Sequence, residues 1–131
     1  MIALDTNVLV RALVADHPEQ VEVVRKLIAS DSVFVSRTVM LETEWVLRAR
    51  YKKTAAEMLV FFRALLEADD TVVESADEVG NALDWYAQGA DFADALHLAA
   101  CGNAVMHTFD QGFCKAARAA GIAPEVRVLE W

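Results

Sequence analysis

Cysteine, proline and glycine are all scarce in this chain of 131 residues, which contains two, two and five of them respectively. The two isolated cysteines, Cys101 and Cys114, are too few for a disulfide framework or a cysteine-based zinc site. With so few prolines and glycines, the chain shows no low-complexity tract and no linker. We therefore expect a single domain over residues 1–131, which is an ordinary size for one domain.

Long hydrophobic runs and an excess of basic charge are missing too. No stretch approaches the roughly 18 consecutive apolar residues that a spanning helix needs, and Asp5 and Arg11 interrupt the N-terminal segment too early for a signal peptide. We therefore expect a cytoplasmic protein with no membrane partner. The net charge is −8, from 12 basic and 20 acidic residues. This balance disfavours strong unspecific binding to nucleic acid, although carboxylates gathered for metal binding would also produce it.

Short β-rich runs alternate with segments of helical periodicity along the chain. Strands are predicted at residues 1–5, 32–36, 71–73, 105–109 and 125–129, and helices at 7–15, 18–29, 38–51, 54–68, 76–88, 91–102 and 112–120. Strands separated by helices imply a parallel sheet covered on both faces. Ligands of such α/β sheets bind at the carboxyl ends of the strands, where Asp5 and Asp110 fall. If these strands are neighbours, the two carboxylates lie close together.

Two further acidic groups lie on predicted helices. Asp91 and Asp94 are three residues apart in GADFADAL and share a helix face. Their ordinary interpretation is helix capping, with Asp91 as the N-cap and Asp94 favoured by the helix dipole. Glu42 shares a stripe with apolar residues one turn before and after it, so we expect it on an inward face. Glu44 points elsewhere and is expected to be solvated or paired with the arginine four residues later.

Carboxylates gathered at one place repel one another, and some would be protonated at neutral pH unless a cation joined them. Oxygen ligands favour Mg²⁺ or Mn²⁺ over zinc, and Mg²⁺ commonly binds through carboxylates together with a substrate phosphate. Such an ion can activate water and neutralise charge on a phosphoryl group. The pattern of acids therefore indicates a metal-dependent phosphoester hydrolase.

Four segments in order, LDTNVLVRAL, VMLETEWVLRARY, DFADALHLAA and TFDQGF, resemble the PIN-domain family and more closely its VapC-type toxin ribonucleases. The resemblance covers nearly the whole chain and implies a three-layer α/β/α sandwich around a short parallel sheet. It also implies Mg²⁺- or Mn²⁺-dependent cleavage of RNA, a homodimer, and an antitoxin partner that covers the site. The acids it assigns to catalysis and metal binding are Asp5, Glu42, Asp94 and Asp110, with Asp91 as a further metal ligand.

Polar neighbours are expected to hold these acids in position. Thr6 and Asn7 are candidates to hydrogen-bond Asp5 or a neighbouring acid, and Thr108 is a candidate for the same role beside Asp110. Helix capping is the alternative role for Asn7.

Alternatives remain open for one residue and for the function. Glu44 competes with Glu42 for the position that faces the site. A small-molecule phosphatase would also use an acid such as Asp5 after the first strand, but its usual second acid two residues later is here Asn7. The other alternative is a catalytically inactive, PIN-like protein-binding module, against which the intact acids argue.

Overall fold

The computed structural model describes every residue from Met1 to Trp131. Seven helices and five short strands follow one another along the chain. The chain divides into two compact units, Met1–Ala76 and Asp77–Trp131. All three pairs of neighbouring strands are parallel, so the predicted α/β class with short parallel strands is confirmed.

The first unit contains a three-stranded parallel sheet and four helices. Its strands are β1 (Ile2–Ala3), β2 (Val33–Val35) and β3 (Thr71–Val73), in the order β1-β2-β3. Its helices are α1 (Thr6–Leu13), α2 (Pro18–Ser30), α3 (Arg37–Ala49) and α4 (Ala55–Glu67). Helix α1 packs against α2 and α3, and α4 packs against β3. The strands predicted at 1–5 and 32–36 are longer than the observed β1 and β2, because only their central residues are paired, whereas the strand predicted at 71–73 has the bounds of β3.

The core of the first unit is apolar and fully closed to solvent. Its most deeply buried side chains come from β2, α3 and α4, and they are Val35, Met40, Leu47, Met58 and Phe62. Burial of one such side chain stabilises the fold by about 1.5–3 kcal/mol. These contacts fix α3, whose opposite face is therefore free to present polar side chains.

The second unit contains the two-stranded parallel pair β4 (Met106–Thr108) and β5 (Val126–Val128). Its helices are α5 (Ala76–Ala87), α6 (Phe92–Ala99) and α7 (Lys115–Ala119). Its core includes Trp85, Leu98, Phe113 and Cys114. The helix predicted from residue 112 begins only at Lys115, because Cys114 has a left-handed backbone with φ of 47°.

None of the seven helices combines the length with the apolar character that a membrane-spanning helix requires.

One buried polar group in α3 has no hydrogen-bond partner. The side chain of Thr43 is 0% exposed, and its hydroxyl oxygen has no hydrogen-bond partner. A buried polar group left unpaired costs about 1–3 kcal/mol. Thr43 therefore lowers the stability of the first unit.

Thr43→Val is expected to raise the free energy of unfolding by about 1 kcal/mol, because it removes an unpaired hydroxyl and keeps a β-branched side chain of similar shape. Urea denaturation measures the change. Thr54→Val is the matched control. Thr54 caps α4 and exchanges hydrogen bonds with Glu57, so its replacement should lower stability by roughly 0.5–2 kcal/mol. A Thr43→Val variant no more stable than the natural chain would contradict this interpretation.

Candidate functional site

Asp5 lies where β1 ends and α1 begins. It is the N-cap of α1, and its Oδ1 accepts a hydrogen bond of 2.7 Å from the backbone N–H of Thr6. A negative charge at this end of a helix is favoured by the helix dipole. The capping alternative for Asn7 is wrong, because the helix begins one residue earlier than predicted and Asp5 holds the cap. Asp5 stays exposed, so a ligand can reach its carboxylate.

Glu42 projects from the exposed face of α3 and contacts the start of α1. Its Oε1 accepts a hydrogen bond from the hydroxyl of Thr6, a side chain that is only 6% exposed. The prediction of an inward face for Glu42 is wrong, because the side chain is exposed. The face of α3 that packs inward is instead formed by Met40, Thr43, Glu44 and Leu47, at spacings of three and four residues.

Glu44 is the acid that α3 buries. It is 3% exposed, and its Oε2 lies 3.0 Å from Nε of Arg48. The predicted pairing of Glu44 with the arginine four residues later is therefore confirmed, whereas solvation of Glu44 is wrong. Burial of a carboxylate requires such a partner.

An open cleft of about 350 Å³ in the first unit collects the polar side chains of α1 and α3. We call it the α1–α3 cleft. Its lining residues are Asp5, Thr6, Asn7, Val10, Arg11, Glu42, Trp45, Val46, Arg50 and Tyr51. Glu42 is thus in the cleft, and Glu44 is not among its lining residues. The lining combines two carboxylates, two guanidinium groups and two aromatic rings.

Three carboxylates gather in the second unit, and we call Asp91, Asp94 and Asp110 the acidic trio. Asp91 is the N-cap of α6, as predicted, and its Oδ1 accepts a 3.0 Å hydrogen bond from the backbone N–H of Asp94. Burial raises the pKa of Asp94 above its ordinary value, and the charges of Asp91 and Asp110 raise it further, against a smaller opposing effect of His97. Asp91 and Asp110 therefore lie close enough to Asp94 to repel its carboxylate.

Asp110 follows β4 and opens a tight turn. Its Oδ1 accepts a 2.8 Å hydrogen bond from the backbone N–H of Gly112, and its own backbone N–H donates to the hydroxyl of Thr108 at 3.0 Å. A Cβ at Gly112 would lie 3.2 Å from that Oδ1. Thr108 thus holds Asp110 through the backbone rather than through the carboxylate, and Gly112 leaves room for the carboxylate itself.

The neighbouring thiol is not a competing ligand. Burial, together with the charges of Asp94, Asp91 and Asp110 and against an opposing effect of Arg118, raises the pKa of Cys114 to about 11. Such a thiol stays protonated at neutral pH, whereas metal binding and nucleophilic attack need the thiolate. The donor atoms that the acidic trio offers are therefore oxygens.

An oxygen-only donor set suits a hard divalent cation such as Mg²⁺ or Mn²⁺. The raised pKa of Asp94 agrees with this, because a cation would relieve the repulsion that raises it. No group of three or more His, Cys, Asp or Glu side chains is placed so that all of them could hold one metal ion. Magnesium usually binds through one or two carboxylates and keeps several waters, so the residues present fit such an ion.

Asp94→Asn is expected to stabilise the metal-free protein at neutral pH, because it removes a charge that burial disfavours and that Asp91 and Asp110 repel. A raised pKa means that the folded state holds the proton more tightly than the unfolded state does. The stability of the natural chain therefore falls as the pH rises from about 4, the ordinary range of a carboxyl group, through the raised pKa, and it stays lowered above that.

Calorimetric melting curves with chelator measure this difference across the pH range. The variant should melt at a higher temperature than the natural chain at neutral pH, and the gap should close below about pH 4. Asp69→Asn, which changes an exposed acid before β3 in the same way, is the control. A gap that does not depend on pH, or a less stable Asp94→Asn variant, would contradict the interpretation.

Comparison with known proteins identifies one family. The sequence profile described as the PIN domain matches residues 2–119. That range includes all five acids of the predicted site, Asp5, Glu42, Asp91, Asp94 and Asp110. No curated protein matches the chain. The profile covers most of the 131 residues, and the alternation of helices with short parallel strands is that of a PIN-like fold. This chain therefore belongs to the PIN domain family.

Proposed function

We propose that the protein is a metal-dependent endoribonuclease of the VapC toxin type, which hydrolyses phosphodiester bonds in RNA. Membership of the PIN domain family supports a nuclease, since PIN domains are generally metal-dependent nucleases. The single observation that carries the proposal is the acidic trio, in which burial raises the pKa of Asp94 and the charges of Asp91 and Asp110 raise it further. A fold that gathers repelling carboxylates loses stability, and perturbed carboxyl groups are typical of functional sites.

The proposed ligands of Mg²⁺, or of Mn²⁺ in its place, are the carboxylates of Asp5, Glu42, Asp94 and Asp110, with Asp91 assisting. When bound, the ion would supply acidification of the attacking water and stabilisation of the negative charge on the phosphoryl oxygens. The family resemblance, together with the oxygen-only donor set, supports assigning all five acids to one function.

The chain's own hydrogen bonds would keep these carboxylates oriented. Thr6 acts on two of them, because its backbone N–H donates to Asp5 and its hydroxyl donates to Glu42. The backbone N–H of Gly112 does the same for Asp110. In each case one carboxylate oxygen accepts the bond and the other is left for a ligand. Such supporting bonds fix the direction in which an acid presents its lone pairs.

The substrate is proposed to be RNA, and the partners are proposed to be a cognate antitoxin and a second copy of the chain, in the cytoplasm. A protein partner is supported by apolar side chains on the surface of α2, namely Val23, Leu27 and Ile28. Apolar side chains grouped at a surface are typical of interaction sites. The family resemblance supports the choice of an antitoxin and of a homodimer.

Cleavage of a generic RNA oligonucleotide, with Mg²⁺, with Mn²⁺ and with chelator, tests the proposed function. We expect cleavage only with metal, and a loss of about 100-fold or more in each of Asp5→Asn, Glu42→Gln, Asp94→Asn and Asp110→Asn. Glu42→Gln keeps an oxygen for the Thr6 hydroxyl, so its loss of activity would report the charge rather than the fold.

Glu67→Gln and Asp69→Asn are the controls, because Glu67 at the end of α4 and Asp69 before β3 are both exposed and lie outside the cleft. They should cleave RNA like the natural chain. Cleavage that persists in chelator, or full activity in any of the four site variants, would refute the proposal. Burst formation of a phospho-enzyme on a small phosphate ester would favour the phosphatase alternative instead.

A further inference from the structure

A large aromatic ring lies exposed on the wall of the α1–α3 cleft. Trp45 is 51% exposed and lines the cleft together with Glu42, which precedes it by three residues on the same face of α3. Glu44 and Leu47 point to the buried side of the helix, so the register of α3 directs Trp45 outward. Water contact with so large an apolar surface is unfavourable.

Trp85 has a structural role, and its surroundings differ from those of Trp45. Its ring is buried in the core of the second unit, and its Nε1–H donates a 3.2 Å hydrogen bond to the carbonyl oxygen of Ile122. A buried body with a satisfied N–H is the usual arrangement for a structural tryptophan. The exposure of Trp45 beside two carboxylates therefore suggests a ligand rather than a packing role.

Positive charge lies at the same cleft, beyond Trp45. Arg50 caps the C-terminal end of α3 and is exposed, and Arg11 reaches the cleft from α1. Nη1 of Arg11 donates to Tyr51 Oη at 3.2 Å and also pairs with Asp16, so its position is fixed. Arg50 is the guanidinium better suited to an incoming anion, because Arg11 already has an acidic partner.

Three kinds of side chain follow one another along α3, namely a carboxylate, an aromatic ring and a guanidinium group. Glu42, Trp45 and Arg50 succeed one another over eight residues, or about 12 Å of helix. The volume of the cleft, about 350 Å³, is in the range of small-ligand pockets. Guanidinium groups bind phosphate through two hydrogen bonds, and aromatic rings stack on nucleic-acid bases of any sequence. An unpaired nucleotide offers a phosphate and a free base face together, whereas a base in a duplex is already stacked.

We propose that the α1–α3 cleft is a binding subsite for one nucleotide of single-stranded RNA, in which the Trp45 ring stacks on an unpaired base and Arg50 binds the adjacent phosphate. The inference rests on the proposed function, because Asp5 and Glu42 at the same cleft are the acids assigned there to cleavage. A local ring and a local cation would then attract RNA to a chain whose net charge is −8.

Trp45→Ala should raise KM for a single-stranded oligonucleotide about 5- to 100-fold, with kcat changed far less, because base stacking on one ring contributes that much to binding. Trp45→Phe should restore part of the loss. Val60→Ala, which truncates an exposed apolar side chain on α4 outside the cleft, should leave both constants unchanged.

A substrate that lacks one base identifies the contact directly. The substrate is an oligonucleotide that the protein cleaves at one position. In a series of such substrates, a single abasic nucleotide is placed in turn at each position that flanks the cleavage site. For one placement of the abasic nucleotide, the natural chain and Trp45→Ala should have the same KM, because the base that stacks on Trp45 is missing. An unchanged effect of Trp45→Ala for every placement would overturn the inference.

A matched pair of arginine variants tests how much the positive charge at the cleft contributes to RNA binding. Arg50→Gln should weaken RNA binding and lower the slope of log Kd against log salt by about one unit or less. Arg25→Gln removes the same charge from α2 outside the cleft, where Arg25 pairs with Glu22, and should change neither. Equal effects of the two variants would show that Arg50 acts only through net charge and would contradict the phosphate contact.

Binding without cleavage separates this inference from the proposed function. Quenching of tryptophan fluorescence by polyuridylate in chelator should occur in the natural chain and be largely lost in Trp45→Phe. If the natural chain cleaves no RNA but shows this quenching, the nuclease proposal fails and the subsite stands. If Trp45→Ala instead converts a dimer to a monomer in light scattering, with RNA binding unchanged, Trp45 belongs to a protein interface and the subsite is refuted.

Discussion

The unfavourable placement of a carboxylate is the constraint on which the proposed function of this chain depends. Burial raises the pKa of Asp94, and Asp91 and Asp110 lie close enough for their charges to raise it further. Packing elsewhere has to offset this unfavourable charge, and the buried apolar residues of each unit do so. Selection for stability alone would not keep such a group. A divalent cation would offset this repulsion, and that is why the proposed function assigns a metal ion to these acids.

A structural role coincides with a proposed functional role at two of the acids, Asp5 and Asp91. Asp5 caps α1 and Asp91 caps α6, and in both a single carboxylate oxygen accepts the backbone hydrogen bond. Each cap fixes the acid directly before its helix. Helix capping and metal binding are therefore not competing explanations, because the cap sets the position from which the remaining oxygen can meet a ligand. Thr6 combines two roles in the same way, because it begins α1 and its hydroxyl donates a hydrogen bond to Glu42.

The order of helices and strands could be predicted from the sequence, because apolar periodicity and the caps are local signals. The orientation of α3 could not. Its apolar stripe placed Glu42 inward, whereas the buried face contains Thr43 and Glu44, two polar residues without an apolar signal. Only the pairing of Glu44 with Arg48, and the packing of Met40 and Leu47 around it, shows which face is buried. The exposure of Trp45 follows from the same rotation of the helix, and for that reason the sequence did not disclose it.

The central proposal is that the acidic trio binds a divalent cation. Paramagnetic broadening by Mn²⁺, at less than one equivalent and in ¹⁵N-labelled protein, tests it most directly. The account predicts that the amide signals of Asp94 and Asp110 broaden before those of exposed acids such as Asp69. Broadening spread evenly over the exposed acids, or absent from the trio, would contradict it.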